Sequence, residues 1–198
     1  MPTPLFFILL CDTTQHENTE VEENMALRFF ETVQSGKRAE QVVIDTLKQY
    51  SKHTYNNIRI PTLYNQGGST EVDVVSAIDD VIIVVEVKNI RSIVGSADDT
   101  FWKMRGFENG EEYSAINILM QNRIHVRALK NKWYELRGEF PPVVSLVVVP
   151  NSCEIPQSLE DAGIVTVEGF LLALQDVVSS GGQIPQLGYA LDFFVGSL

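Results

Sequence analysis

Residues 71–88 read EVDVVSAIDDVIIVVEVK, and few folds other than a β-hairpin accommodate them. Val and Ile dominate both arms, where β-branched side chains pack well on a pleated surface, and the turn-prone pair Asp79-Asp80 divides them. With a two-residue turn, Asp73 lies directly opposite Glu86 and Glu71 opposite Lys88. Side chains alternate faces with period two, so all four project from one face. A four-residue turn preserves this pairing; a three-residue turn breaks it. Facing carboxylates repel and resist desolvation unless something neutralises them, and a divalent cation does so naturally. The hairpin therefore predicts a metal site.

Periodicity elsewhere gives an α/β alternation. Residues 4–10 read as a buried strand or apolar arm, and Asn18 or Thr19 can cap a helix running to about Ser35. Beyond Gly36 a second helix spans Lys37 to Tyr50. Its apolar stripe, Ala39 or Glu40, Val43, Ile44 and Leu47, carries the carboxylate of Glu40 on its inward side. Taken alone, that Glu reads as a boundary residue that turns to solvent or pairs with Arg38. Asn57–Leu63 is expected as a strand leaving through the turn 65–68, and NIRSIVGS after Lys88 as a third strand or irregular edge bent at Gly95. Residues 104–114, with two glycines, read as a loop.

The longest helical pattern runs from Ala115 to about Arg137. Its inward stripe is drawn as Asn117 or Ile118, Gln121, Ile124 or His125, Ala128, Leu129 and Lys132, with His125 read as a hydrogen-bonded boundary residue. Arg123, Arg127 and Lys130 recur on another face, which is either solvated or a phosphate-backbone contact. VVSLVVV (143–149) suits a strand covered on both faces, Ile164–Val167 a short strand, and Glu168–Val178 a helix. The order predicts a mixed central β-sheet flanked by α-helices. The apolar tail from Gly181 is expected to dock on the domain or on another subunit, which would make a homodimer.

These boundaries imply an N-terminal extension over 1–35, a domain over 36–180 and a C-terminal tail over 181–198. The net charge of −11 is unevenly spread: residues 1–35 carry −5, residues 36–140 are neutral with 14 acids and 14 bases, and residues 141–198 carry −6. A polyanion can thus be met locally, by the central segment, with weak non-specific affinity. No basic residue precedes the LFFILL run, and Leu10 rather than a small residue precedes Cys11, so no signal peptide is expected. Glu86 and Lys88 interrupt the longest apolar run, which excludes a membrane span there. Cys11 and Cys153 lack metal-ligand spacing and fit buried free thiols of a cytoplasmic protein.

An Asp on one strand and a Glu-x-Lys on its antiparallel neighbour supply hard oxygen ligands for Mg²⁺, with the main-chain carbonyl of Val87 as a further donor. Lys88 beside them can orient a water or stabilise developing negative charge. The string Gly36-Lys37-Arg38-Ala39-Glu40, then Glu71-Val72-Asp73, Glu86-Val87-Lys88-Asn89, Trp102, and Asn117 with Gln121-Asn122 and His125, resembles the NERD (nuclease-related domain) family of the PD-(D/E)XK nuclease superfamily, over about Gly36 to Gln175. The resemblance implies a restriction-endonuclease-like core with Asp73 and Glu86 as metal ligands and Lys88 as the catalytic lysine. It also implies Glu40 as the helix carboxylate that approaches the metal and Gln121 as its helix support. Val72 stands where the superfamily's name has Pro, and Ile118 where the family pattern Asn-Pro places Pro. The expected activity is Mg²⁺-dependent hydrolysis of DNA, with Mn²⁺ as substitute metal and RNA as the alternative substrate. The competing readings are a non-catalytic nucleic-acid-binding or assembly module on the same fold, and a cross-strand salt bridge on an exposed sheet.

Overall fold

The computed structural model describes residues 39–62, 68–106, 110–180 and 185–198. The expectations for the N-terminal arm, the Asn18–Ser35 helix, Cys11, the string before Ala39 and most of the 65–68 turn lie outside these residues. β2 (Ser69–Ile78) and β3 (Val81–Val87) form the expected hairpin around Asp79-Asp80. Their ladder runs in the expected register from Ile78 opposite Val81 to Val74 opposite Val85. Asp79 takes a φ of 51°, a left-handed conformation that Asp tolerates better than most residues.

β1 (Thr54–Pro61) lies antiparallel to β2, β7 (Val143–Val149) parallel to β3, and β8 (Ile164–Thr166) parallel to β7. The result is a mixed five-stranded sheet of order β1-β2-β3-β7-β8, with a single helical turn, α3 (Gln157–Glu160), between β7 and β8. Helices α1 (Ala39–Tyr50) and α4 (Val167–Ser180) cover one face, packing Val43, Leu47, Phe170 and Leu174 against Val74 and Val85. On the other, α2 (Ile118–Arg137) and α5 (Pro185–Gly196) pack Leu129, Trp133, Leu191 and Phe194 against Val75 and Val84. Covered on both sides, β3 is buried at every residue from Ile82 to Glu86. Among the described residues no helix is long and apolar enough to cross a membrane.

Several expectations are corrected. Residues 104–114 are not a loop: Phe101–Gly106 (β5) and Glu112–Ile116 (β6) pair antiparallel and join β4 (Ile90–Val94) in a second sheet of order β4-β5-β6. Trp102 and Met104 point inward while Phe101, Lys103 and Arg105 face solvent, so period-two burial prevails and the glycines mark only the hairpin connection. Gly95 is indeed a bend, and Trp102 packs so close that a Cβ there would stand 2.3 Å from its Cδ1. The long helix starts at Ile118 rather than Ala115. Asn117 caps it by accepting from Met120 N (3.2 Å), and Gly138 at φ 74° ends it by donating to Tyr134 O (2.8 Å). Its buried line is Ile118, Asn122, His125, Leu129 and Trp133, whereas Ile124 is 47% exposed. The apolar tail folds as α5 and docks on its own domain through Ala190, Leu191 and Phe194.

One irregularity positions the site. The β1–β2 pairing passes from Asn56 opposite Val74 to Ile58 opposite Val72 without pairing Asn57 and Asp73, and Asn57 has a φ of 53°. Val72 and Val75, three residues apart, both pack beneath α2 and α5 as a consequence. Asp73 thereby leaves the ladder.

Candidate active site

Glu86 shares the β3 face of Ile82 and Val84 and looks toward α2, which buries it to 1% exposure. Its oxygens are divided between two cations or potential cations: Lys88 Nζ stands 2.5 Å from Oε1 and His125 Nε2 stands 3.0 Å from Oε2. The Thr70 hydroxyl lies 2.6 Å from His125 Nδ1. If it donates there, the remaining ring N–H faces the carboxylate. These approaches are close but out of line, so both Glu86 oxygens and His125 Nε2 are buried without an aligned hydrogen bond. Burial pushes the Glu86 carboxyl upward, but His125 and Lys88 outweigh it and hold the group below the usual carboxylate range.

Asp73 sits where β2 leaves β3, and its Oδ2 accepts the Val87 N–H at 2.8 Å. Its carboxyl is raised, first by burial and then by the negative charge of Glu86. The Val87 N–H and Lys88 oppose the rise, and Glu40 adds to it. Glu40 is half-buried in the first turn of α1 beside the buried line Ala39–Val43–Leu47, and the field it exerts on Asp73 ties it to the site. The hairpin and α2 thus bring Asp73, Glu86, Val87, Lys88 and His125 together, with Glu40 of α1 near enough to act on the Asp73 charge.

Glu71 does not meet Lys88. It pairs with Arg59 at 2.9 Å on the exposed side of β1–β2, because the break at Asp73 takes Glu71 away from β3, and Lys88 turns to Glu86 instead. The helix residue that reaches Glu86 is His125; Gln121, one turn earlier, is half-buried. Sequence reasoning named His125 only as a hydrogen-bonded boundary residue and within the family resemblance, without a role at the site, and did not name Thr70. The available signal was a phase shift: Ile118, Asn122, His125 and Leu129 follow helical spacing as well as the stripe through Gln121 and Ile124 does. Asn122 marks the true phase, donating to Ser145 Oγ (3.0 Å) and Leu146 O (2.9 Å) and so fixing α2 to β7. Asn117 serves the fold, holding Ala97 O and Asp99 O at 3.0 and 2.8 Å. Arg123 and Arg127 are exposed and Lys130 half-buried on α2.

The donor set suits a hard cation. Glu86 presents buried oxygens without aligned partners, and Asp73 adds a second carboxylate whose ionisation the site disfavours until positive charge arrives. No three His, Cys, Asp or Glu side chains are grouped to hold a metal among the described residues.

The nuclease-related domain (NERD) family model matches residues 35–150, more than half of the chain. The chain belongs to the NERD family. The matched span holds Glu40, Asp73, Glu86, Lys88, Gln121 and His125 and leaves out β8, α4 and α5. No curated protein and no solved structure matches the chain.

Proposed function

We propose that this NERD chain is a Mg²⁺-dependent nuclease that hydrolyses phosphodiester bonds of DNA on a PD-(D/E)XK core. The observation that carries the reading is the buried Glu86 carboxylate, both oxygens unaligned, beside a second carboxylate and a lysine. Asp73, Glu86 and the Val87 carbonyl would hold the ion, with Glu40 adding negative charge at Asp73. Bound there, Mg²⁺ or Mn²⁺ would supply an acidified water and charge stabilisation at phosphorus. Lys88, anchored at Glu86, orients the attacking water or donates to the charge that develops on the phosphate. His125, 3.0 Å from Oε2, acts on Glu86 by favouring its charged form. Gln121, one turn from His125 and half-buried, would be its helix support by the family resemblance.

The test is cleavage of single-stranded, duplex and branched DNA with and without Mg²⁺ or Mn²⁺, beside Asp73→Ala. Metal-dependent cleavage lost in the variant is expected. Equal cleavage by both proteins would trace the activity to contamination, and none on any substrate with either metal would leave the non-catalytic binding module standing.

A further inference from the structure

A cavity of about 350 Å³ opens between β4, β5 and the loop after β7, lined by Arg91, Ser92, Arg105, Ser152 and Glu154. Its walls are fixed by backbone. Arg91 sits at the irregularity where the β4–β5 register shifts between Ile90 and Ser92, the kind of bulge that re-aims a side chain. Arg105 stands across from Ser92, and Glu154 is tied to β4 by its N–H to Arg91 O at 2.8 Å. The lining thus combines two guanidinium groups, two hydroxyls and one carboxylate. Arg105 also meets Glu112 at 2.8 Å, an exposed and screened pair that a phosphate can displace.

From this cavity the outer face of β5 continues through Lys103 to Phe101, which is 61% exposed and pairs across the sheet with Ile116. Four residues of strand span about 13 Å, a few nucleotides' length. Cations that follow a backbone, with an exposed ring at base distance, are what an unpaired strand requires; a duplex hides its base faces from such a ring. Arg91 follows Lys88 by three residues, so chain length alone keeps their Cα atoms within about 11 Å.

We propose that this face binds single-stranded nucleic acid leading to the Glu86 site, with the Arg91–Arg105 cavity taking a backbone phosphate and Phe101 stacking on a base. The assignment rests on the nuclease reading above. The two elements carry different signatures, because phosphate contacts release counterions and stacking does not.

Full-length protein is titrated with a labelled oligothymidylate in metal-free buffer across a salt series. The Arg91→Ala/Arg105→Ala double variant is expected to bind about tenfold more weakly, with the slope of log K against log salt reduced by about 1.4, two contacts at about 0.7 each. Arg91→Lys/Arg105→Lys should restore the slope. Phe101→Ala should lose about fivefold or more in affinity with the slope unchanged. All these side chains are exposed, so unchanged melting temperatures are expected. Wild-type affinity and slope in both alanine variants, alongside a wild type that cleaves, would overturn this assignment and leave the nuclease reading intact. A wild type that neither binds nor cleaves nucleic acid would overturn both.

Discussion

Glu86 is a carboxylate that the fold withdraws almost wholly from water, and a group so placed depends on its partners. Lys88 and His125 flank its oxygens, and Thr70 holds the far side of the imidazole. Removing His125 leaves charge in a buried site with one partner fewer and opens a void. His125→Ala should therefore cost about 2–4 kcal/mol of stability by urea unfolding. Glu86→Gln in that background should return at least about 1 kcal/mol, because the stranded charge disappears. Strict additivity of the two substitutions would refute the coupling. At this scale the sequence was half legible. A turn of two residues fixes the register of the pairs behind it as far as Val74 opposite Val85, which puts Asp73 and Glu86 side by side at the end of the ladder. A helix stripe has no such anchor: Ile124 and His125 satisfied the spacing equally, so the stripe left the two open, and only packing against β3 decides for His125. Glu71 failed for a different reason, since no rule of alternation foresees the break at Asn57 and Asp73.

Elements show the same division between local pattern and tertiary contact. Pro185 reads as a break, yet at the first turn of α5 its missing N–H has no partner to lose and its φ already suits a helix. The β5–β6 hairpin was obscured by its glycines, although the Trp102 and Met104 alternation was there to be read. What seats α5 is invisible in its own sequence. Phe194 stacks on Trp133 with ring centroids 5.5 Å apart, and Asp192 accepts from Tyr55 OH at 2.6 Å and pairs with His53 Nδ1 at 2.7 Å. Gly188 makes this approach feasible, since a Cβ there would stand 2.3 Å from His53 Cδ2. Gly188→Ala should force the imidazole aside, separate it from Asp192 and destabilise the protein by about 1–3 kcal/mol. Adding His53→Ala should make the alanine tolerable. A single variant as stable as wild type in urea would mean that α5 has slack against β1.

Across the molecule, the candidate site sets two opposite pH dependences of stability. Asp73 has a raised carboxyl, so the native state holds that proton more tightly than the unfolded chain; its ionisation opposes folding. That cost is absent below the ordinary value of 3.8 and complete above the raised value. Glu86 has a lowered carboxyl, so its contribution is present above 4.5 and is lost as the pH falls through the lowered value. Asp73→Asn keeps an acceptor for the Val87 N–H while removing the charge, so it should melt above wild type at pH 7 and converge with it toward acid. Glu86→Gln should melt below wild type at pH 7, the gap also closing in acid. Metal binding reverses the first comparison. An ion that binds only the native state stabilises it by about 2.7 kcal/mol at a hundred times its dissociation constant. Saturating Mg²⁺ should therefore raise the wild-type melting temperature at pH 7, with little effect on Asp73→Asn. The Mg²⁺ increment in wild type should fade as acid protonates Asp73, and the acid limb of cleavage should follow the same titration. An increment equal in both proteins would place the ion elsewhere, and an Asp73→Asn variant less stable than wild type without metal would reverse the sign assigned to that carboxylate.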